Sequence, residues 1–454
     1  MEKLKFYSTN RQSPMVTFSE ALITGQAPDK GLYMPEKIPV LPENVIQSFA
    51  EKTYPEIAWT VCREYLKGEI PDDELFSLVT DAYNYPVPLE PVTGRKYILR
   101  LDQGPTASFK DFAARMMGRL MQYYLKHEGR EMLILTATSG DTGSAIANSF
   151  YGLDKIRVVI LYPKDEVTPR QRKQMTTLGK NITVLGLDAK FDDCQGLVKQ
   201  AFADPDLDHL HLSSANSINI GRLIPQSVYY FYAHSRLRNS WPDPVIFSVP
   251  SGNFGDMMGG MLAKKMGLPV EKLVIAVNEN DEFPRFVETG KYEKIVPSLN
   301  CISSAMNVGH PSNLARLVAL YGGRMDEAGN LSESPDFGKF RNDIFAISIN
   351  DVKTRETIIQ SWKKHRLLLE PHGAVGWAGL WQYLKHLPED EITSKFCISL
   401  ETAHPAKFPA QIQELLGFDP DLPESLKGIE DKEEQSTEIS KEYGEFKRFL
   451  REMS

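Results

Sequence analysis

The stretch that decides the fold is KYILRLDQGPTASFKDFAARMMGRLM, residues 96–121. Its first six residues are largely apolar and predict a short buried strand, and from Phe109 onward apolar residues recur at helical spacing. Lys110 therefore lies in the first turn of the predicted helix, where the helix dipole disfavours a cation. A solvated surface lysine is the ordinary explanation, so Lys110 alone does not indicate a function.

The same order of strand and helix continues along the chain. Further apolar runs that predict strands are 131–138, 156–163, 181–188, 244–250, 272–278, 344–350 and 395–401. Continuous Val, Ile and Leu runs separated by helical segments are typical of strands that are buried on both faces of a parallel sheet. We therefore predict an α/β fold, in which ligands bind at the carboxyl edge of the sheet.

The composition is that of an acidic globular protein. Of the 454 residues, 42% are hydrophobic and 25% are charged, and the formal net charge is −8. This balance argues against nucleic acid as a partner, because phosphate binding needs a basic face. No run of about twenty apolar residues predicts a membrane span, and the N-terminus has neither a signal-peptide core nor a transit-peptide pattern. We expect a cytoplasmic protein with no membrane partner.

The four cysteines lie far apart, at Cys62, Cys194, Cys301 and Cys397. Their spacing fits neither a disulfide scaffold nor a zinc site. We expect them to be reduced and structural, and we expect no metal.

Polar segments follow three of the predicted strands. Two of them are the glycine-containing loops SGNFGD (251–256) and SGDTGS (139–144), and the third begins at Thr402. Each has an ordinary explanation: a tight turn for the first, a helix N-cap by Asp141 or Ser139 for the second, and a strand-end residue for the third.

Together these segments indicate more than each does alone. Free N–H groups at a glycine-rich helix start bind phosphate or carboxylate, and a lysine can form a Schiff base with an aldehyde. Neither loop has the GxGxxG or GxxxxGK[ST] spacing of a nucleotide site. Two anion sites and Lys110 at one sheet edge favour a cofactor that carries both a phosphate and an aldehyde.

Several segments, in this order, resemble the threonine synthase family. They are GPTASFKDFAAR (104–115), TATSGDTGSA (136–145), NSINIGRLIPQSVYYFY (216–232), SGNFGD (251–256) and ETAHPAKFP (401–409). The opening YSTNRQSPMVTFSEALITGQAPDKGLYMPE (7–36) is similar to the extra N-terminal domain of the shorter microbial and fungal branch. The resemblance extends over about residues 6–415. The segments 107–108 and 370–379 depart from the commonest family pattern.

The resemblance implies a pyridoxal-phosphate enzyme of fold type II, related to the tryptophan synthase β subunit, with parallel-type sheets in a large and a small domain. The implied domains are an N-terminal domain (1–95), a large cofactor domain (96–130 and 236–420), a small mobile domain (131–235) and a charged C-terminal helix or tail (421–454).

The resemblance also implies roles for individual residues. Lys110 would be the Schiff-base lysine and a proton shuttle. The cofactor phosphate would be held by Gly252, Asn253, Phe254 and Gly255, and the pyridine nitrogen by Thr402. Asp141 would face the cofactor ring, where relatives carry asparagine. Substrate contacts would come from Ser139, Gly140 and Thr142 for the carboxylate, and from Asn216, Ser217, Asn219 and Arg222 for the phosphate.

The implied reaction converts O-phospho-L-homoserine and water to L-threonine and phosphate. A related phospho-lyase that releases 2-oxobutyrate would share every motif, so the sequence leaves the product open. A serine or threonine dehydratase is a further alternative, although those enzymes do not resemble the N-terminal segment. A non-catalytic binding protein is disfavoured by the intact lysine and phosphate loop. The oligomeric state, monomer or homodimer, and allosteric control stay open.

Overall fold

Helices and strands alternate along most of the computed structural model, which describes residues 3–138, 140–237 and 243–453. The strands are β1 (Phe6–Ser8), β2 (Tyr33–Pro35), β3 (Leu89–Thr93), β4 (Lys96–Arg100), β5 (Met132–Ala137), β6 (Ile156–Pro163), β7 (Ile182–Leu187), β8 (Leu212–Ser213), β9 (Val245–Pro250), β10 (Val270–Val277), β11 (Arg324–Met325), β12 (Leu331–Glu333), β13 (Ile344–Ser348), β14 (Phe396–Glu401) and β15 (Thr437–Ile439). The α-helices are α1 (Phe18–Thr24), α2 (Glu43–Ser48), α3 (Tyr54–Leu66), α4 (Asp72–Ala82), α5 (Lys110–Glu128), α6 (Asp141–Phe150), α7 (Pro169–Thr176), α8 (Phe191–Phe202), α9 (Ile220–Leu223), α10 (Val228–Ser235), α11 (Gly255–Lys265), α12 (Glu282–Thr289), α13 (Leu314–Leu320), α14 (Phe337–Asp343), α15 (Asp351–His365), α16 (Pro371–Leu384), α17 (Glu389–Ser394), α18 (Pro409–Leu416) and α19 (Tyr443–Glu452).

The larger sheet has the strand order β13-β10-β9-β14-β4-β3. It is parallel except at β3, which pairs antiparallel with β4. Its central strands are buried on both faces, because successive side chains point to opposite sides of a strand. On β9, Ile246 joins a core that contains Trp377 of α16, whereas Phe247 joins a core that contains Met261 of α11.

The smaller sheet has the strand order β15-β7-β6-β5-β8, and all its pairs are parallel. The charged C-terminal segment contributes its edge strand β15 as well as helix α19. Phe446 and Leu450 of α19 are fully buried in a core that they share with Leu197 of α8. The α/β fold class predicted from the apolar runs is confirmed.

The N-terminal residues brace the helix that begins with Lys110. Helices α3 and α4 pack against α10 and α5, and the Tyr83 hydroxyl donates a 3.1 Å hydrogen bond to the carbonyl oxygen of Phe112. Phe112 also contacts the ring of Tyr54, with centroids 5.4 Å apart. The first turn of α5 is therefore held in place by residues that precede β3.

The predicted strands agree with the structure to within two residues at their boundaries. No helix among residues 3–138, 140–237 and 243–453 is long and apolar enough to cross a membrane.

Candidate active site

Three of the predicted site segments follow neighbouring strands of the larger sheet. The order β9-β14-β4 puts the SGNFGD loop, Thr402 and the segment leading to Lys110 side by side at the carboxyl edge. The SGDTGS loop instead follows β5 of the smaller sheet, so the expectation that both glycine loops lie at the edge of one sheet is wrong. The structure thus brings together segments that are almost 300 residues apart in sequence.

The loop before Lys110 is fixed to the segment that follows β14. Ala107 has a positive φ of 53°, its carbonyl oxygen accepts from His404 N at 3.0 Å, and Phe109 N donates to Thr402 O at 2.8 Å. These bonds hold Lys110 at the start of α5. It therefore lies in the first helical turn, where the helix dipole disfavours a cation, as predicted from the sequence.

The Asp111 side chain stabilises the same loop by accepting hydrogen bonds within it. Its carboxylate accepts from Thr106 N at 2.8 Å and from Thr106 Oγ1 at 2.6 Å. Gly104 is required beside it, because a methyl group on Gly104 would lie 2.4 Å from Asp111 Oδ2. Acidic Asp111 also suits the first turn of α5 better than Lys110 does.

Burial of Lys110 favours its neutral form over its charged form. Burial lowers the pKa of Lys110, and the cations Lys407 and Arg222 lower it further, while Asp141 and Glu370 oppose this effect. The Lys110 ammonium nitrogen lies 4.7 Å from the centroid of the Phe109 ring. A lysine with a depressed pKa is the form expected of a nucleophile.

The SGDTGS loop starts helix α6 with its polar groups turned to specific partners. Gly140, with φ of 137°, precedes the helix, and Thr138 Oγ1 accepts from the N–H groups of Gly140 at 3.0 Å and Gly143 at 2.8 Å. Thr142 is partly buried. Ser139, predicted to contact substrate, lies outside the described residues.

Asp141 does not act as a helix cap. Its Oδ1 lies 2.6 Å from Lys407 Nζ and accepts from Gln171 Nε2 at 2.8 Å. Burial would raise the pKa of Asp141, but Lys407 first and Lys110 second hold it well below its usual range. The structure therefore places a buried carboxylate between two donors, Lys407 and Gln171, and close enough to Lys110 for the two charges to interact.

The SGNFGD loop has the features of a phosphate site. Phe254 adopts a left-handed conformation, with φ of 64°, and helix α11 then begins at Gly255 with no side-chain cap from the described residues. Asn253 O accepts from Asn313 Nδ2 at 2.8 Å, which fixes the turn. A methyl group on Gly252 would lie 3.0 Å from Ala305 O. An uncapped helix start on a tight glycine turn fits a phosphate group.

Thr402 combines burial with an uncommitted hydroxyl. The residue is buried, and its carbonyl oxygen accepts a hydrogen bond from Phe109 N. No group within the described part of the chain forms a hydrogen bond with its Oγ1. A hydroxyl in this state is able to meet a ring nitrogen.

Of the residues predicted to bind the substrate phosphate, Arg222 fits best. Its guanidinium is buried, donates from Nη1 to Ala215 O at 2.7 Å, and has no partner for Nε among the described residues. Burial lowers the pKa of Arg222 to about 10, against the opposing effects of Asp111 and Tyr229. A buried cation with an unused donor indicates an anionic ligand.

The other three residues of that group differ in their contacts. Asn216 Oδ1 accepts from Thr136 Oγ1 at 2.6 Å. Ser217 lies close to the phosphate loop, because a methyl group on Gly255 would be 3.7 Å from Ser217 Cβ. The Asn219 side chain instead caps α9 at Gly221 N and donates to Leu22 O at 2.8 Å, so its polar atoms serve the fold.

Three models of protein families match the chain. "Threonine synthase N terminus" matches residues 5–83, "Pyridoxal-phosphate dependent enzyme" matches residues 82–397, and "Threonine synthase, C-terminal" matches residues 374–450. The chain belongs to the threonine synthase family.

Relatives of this family are similar over the whole chain. The threonine synthase of Haemophilus influenzae is 38% identical over 98% of this chain and 99% of its own length, and that of Escherichia coli is 35% identical over 93% and 94%. A crystal structure of pyridoxal-phosphate-bound threonine synthase from Brucella melitensis has 35% identity and a TM-score of 0.93, with both chains fully covered. The yeast threonine synthase structure has 31% identity and a TM-score of 0.89, covering 99% of this chain and 97% of its own. Threonine deaminase of Solanum lycopersicum, at 17% identity and a TM-score of 0.52, shares the fold alone.

The cofactor prediction is confirmed by this membership: the threonine synthase family uses pyridoxal phosphate. The residues present fit that group. The uncapped start of α11 suits its phosphate, the uncommitted Thr402 hydroxyl suits its ring nitrogen, and Lys110, with its depressed pKa, suits its aldehyde.

Two features of this threonine synthase site were missed in the sequence. Lys407 lies within the ETAHPAKFP segment, six residues after the end of β14, and that position was the available signal. Glu370 and His372 hold Ala305, whose carbonyl oxygen lies next to Gly252: His372 Nδ1 contacts Glu370 Oε2 at 2.5 Å, and Ala305 N donates to His372 Nε2 at 3.0 Å. Both belong to the 370–379 segment, whose departure from the family pattern was noted without an assigned role.

Proposed function

We propose that the chain converts O-phospho-L-homoserine and water to L-threonine and phosphate. The observation that carries the proposal is Arg222, a buried cation with an unused donor that acts electrostatically on Lys110. The uncapped start of α11 supports an assignment of the cofactor phosphate there, which leaves Arg222 for a second phosphate, on the substrate. Serine and threonine, the substrates of a dehydratase, carry no such group.

The chemistry supplied by bound pyridoxal phosphate is an electron sink for the carbon next to the amino group. Lys110 would bind the cofactor through its nitrogen and, as an amine with a depressed pKa, take and return the substrate protons. The N–H groups at the start of α6 that do not donate to Thr138, together with Thr142, orient the substrate carboxylate.

Arg222, with Asn216 and Ser217, holds the substrate phosphate and stabilises the negative charge that grows as phosphate leaves. A guanidinium presents two parallel donors to phosphate, which fixes the direction of departure as well as the affinity. The neutral Thr402 hydroxyl meets the ring nitrogen without forcing a proton onto it, as a carboxylate would.

Water has to add at Cβ only after phosphate has left Cγ, and the unsaturated amino acid has to stay bound until then, since its release and hydrolysis would give 2-oxobutyrate and ammonia. Helix α7 of the smaller sheet contacts the larger one near the site: Gln174 Nε2 donates to Thr106 O at 3.1 Å, and Arg170 Nη1 donates to Ala406 O at 2.6 Å. We infer that these contacts limit the access of water.

A product assay tests the proposal. The full chain loaded with pyridoxal phosphate is incubated with O-phospho-L-homoserine, and threonine, 2-oxobutyrate and phosphate are quantified, with L-serine and L-threonine as parallel substrates. We expect threonine and phosphate in equal amounts and little keto acid. Dominant 2-oxobutyrate from O-phospho-L-homoserine would favour the phospho-lyase, and faster turnover of serine or threonine would favour a dehydratase. Either result would overturn the proposal.

A further inference from the structure

A second lysine is buried at the site and has no role in the function proposed above. Lys407 lies in the short 3-10 turn Pro405–Lys407 after β14 and is fully buried. Its Nζ is 2.6 Å from Asp141 Oδ1 and donates to Thr106 O at 2.8 Å. A fully buried lysine is rare unless it is paired, and here its partner is the carboxylate beside Lys110.

Asp141 would otherwise work against Lys110. A carboxylate near a lysine stabilises the ammonium form of that lysine, and an ammonium nitrogen has no lone pair with which to attack an aldehyde. The charged groups that act on Lys110 come from several elements: Asp141 of α6, Arg222 of α9, Asp256 of α11, Glu370 before α16, and Lys407. In this set, Lys407 is the cation in direct contact with Asp141.

We propose that Lys407 is a positioning residue that neutralises Asp141 and thereby keeps Lys110 available as a neutral amine. The Lys407–Asp141 pair lets the site keep an acidic residue at the start of α6 without that residue holding a proton on Lys110. The effect of Lys407 on the pKa of Asp141 exceeds that of Lys110, as expected if Lys407 is the main partner. The proposal rests on the role proposed for Lys110 and is independent of which product is released.

A purely structural role for Lys407 makes a different prediction. Asp141 begins helix α6, which follows β5 of the smaller sheet, and Lys407 lies in the turn after β14 of the larger sheet. Their ion pair therefore also links the smaller sheet to the larger one. If that were its whole role, breaking the pair from either side would lower stability in the same way and would leave the protonation of Lys110 unchanged. The charge argument instead predicts opposite shifts from the two sides.

The test measures the pH at which Lys110 loses its proton in four forms of the full chain: wild type, Lys407→Met, Asp141→Asn and the double variant. In cofactor-free protein, competitive acetylation with acetic anhydride across a pH series, read by peptide mass spectrometry, gives the midpoint for Lys110. In the loaded protein, the pH midpoint of the cofactor's visible absorbance gives a second reading of the same nitrogen.

Lys407→Met should raise both midpoints by about one pH unit or more, because Asp141 then acts on Lys110 without the cation that contacts it. Asp141→Asn should lower them, because the positive charge of Lys407 is then uncompensated. The double variant should return close to wild type. Lys395→Met is the matched control: Lys395 pairs with Glu271 at 3.0 Å next to the opposite end of β14, and its loss should leave the Lys110 midpoint unchanged.

Midpoints that shift in the same direction in both single variants, or that do not move in either, would overturn the proposal. If Lys407→Met does not fold, Asp141→Asn decides alone: amide and carboxylate have nearly the same shape, and a midpoint that fails to fall would refute the charge argument.

Discussion

Replacing Arg222 by glutamine should separate function from stability at this site. The guanidinium is 4% exposed and uses one of its donors on a protein carbonyl, while Nε has no partner in the described part of the chain. Burial lowers its pKa from the ordinary 12.5 to about 10. That difference corresponds to about 3 kcal/mol by which the folded protein disfavours the charged form.

The expected loss of function follows from the bonds that Arg222 would make to the substrate phosphate. A hydrogen bond between charged groups contributes about 1.5–3 kcal/mol, so Arg222→Gln should lower kcat/KM for O-phospho-L-homoserine by roughly a hundredfold. The same change removes a poorly solvated cation and loses at most one hydrogen bond of about 1 kcal/mol. The free energy of unfolding should therefore stay unchanged or rise by about 1–2 kcal/mol.

Arg316 is the matched control for stability. It is also fully buried, and burial lowers its pKa to about 9. Each of its three guanidinium nitrogens, however, has a partner: Nε donates to Tyr33 O at 3.1 Å, Nη1 to Ser217 O at 3.3 Å and Asn313 Oδ1 at 2.7 Å, and Nη2 to Ile218 O at 2.6 Å. Arg316→Gln should destabilise the fold by several kcal/mol because buried carbonyl oxygens lose their donors.

Steady-state kinetics and urea unfolding of the two variants give the answer. An Arg222→Gln protein with unchanged kcat/KM would refute the assignment of Arg222 to the substrate phosphate. An Arg222→Gln protein as destabilised as Arg316→Gln would show that Arg222 is a structural residue.

Three further predictions concern the cofactor and stability. Lys110→Ala should abolish both turnover and the borohydride-reducible attachment of pyridoxal phosphate, and retention of that attachment would show that another lysine is the Schiff-base residue. Gly252→Val should weaken cofactor binding by at least about tenfold, because even a methyl group there lies 3.0 Å from Ala305 O; equilibrium titration with the cofactor followed by fluorescence measures it, and unchanged affinity would contradict the close approach. Glu282 is buried, its Oε2 has no partner within the described residues, and burial raises its pKa to about 8. A carboxyl group whose pKa is raised by folding favours the folded state at low pH, and this stabilisation is lost as the pH rises through the folded-state pKa. Glu282→Gln should therefore reduce the fall in unfolding free energy between pH 5 and 9 by several kcal/mol, whereas substitution of the exposed Glu288 by glutamine should not. Equal pH profiles for Glu282→Gln and wild type would refute this.

The apolar runs of the two sheets could be predicted from the sequence because burial on both faces leaves a direct compositional signal. VIFSVP was predicted as a strand and is β9. Strand β15 leaves no such signal. Its three residues, Thr437–Ile439, are mostly exposed and hold the sheet edge through backbone hydrogen bonds. Edge strands of this kind become visible only once their neighbour β7 is placed.

Within the site, the residue types in the sequence predicted which segments lie near one another, but not the contacts that each side chain makes. Asn219 and Arg222 lie three residues apart in one motif, and both side chains suit phosphate. In the structure, the Asn219 amide caps α9 and donates to Leu22 O, whereas Arg222 has a buried donor without a partner among the described residues. The difference depends on helix α1, which is nearly 200 residues away, and local sequence cannot show it.

The Lys407–Asp141 pair is a second contact that local sequence could not predict. Each residue lies in a motif that the sequence singled out, yet 266 positions separate them. A lysine near a strand end is most often solvated, and an aspartate at a helix start is most often a cap or a dipole partner. Both ordinary explanations fail only when the fold buries the two groups 2.6 Å apart. Chemistry that depends on one charge cancelling another can therefore be inferred only where both charges are located, which makes the opposite shifts predicted for Lys407→Met and Asp141→Asn the sharpest test of the site.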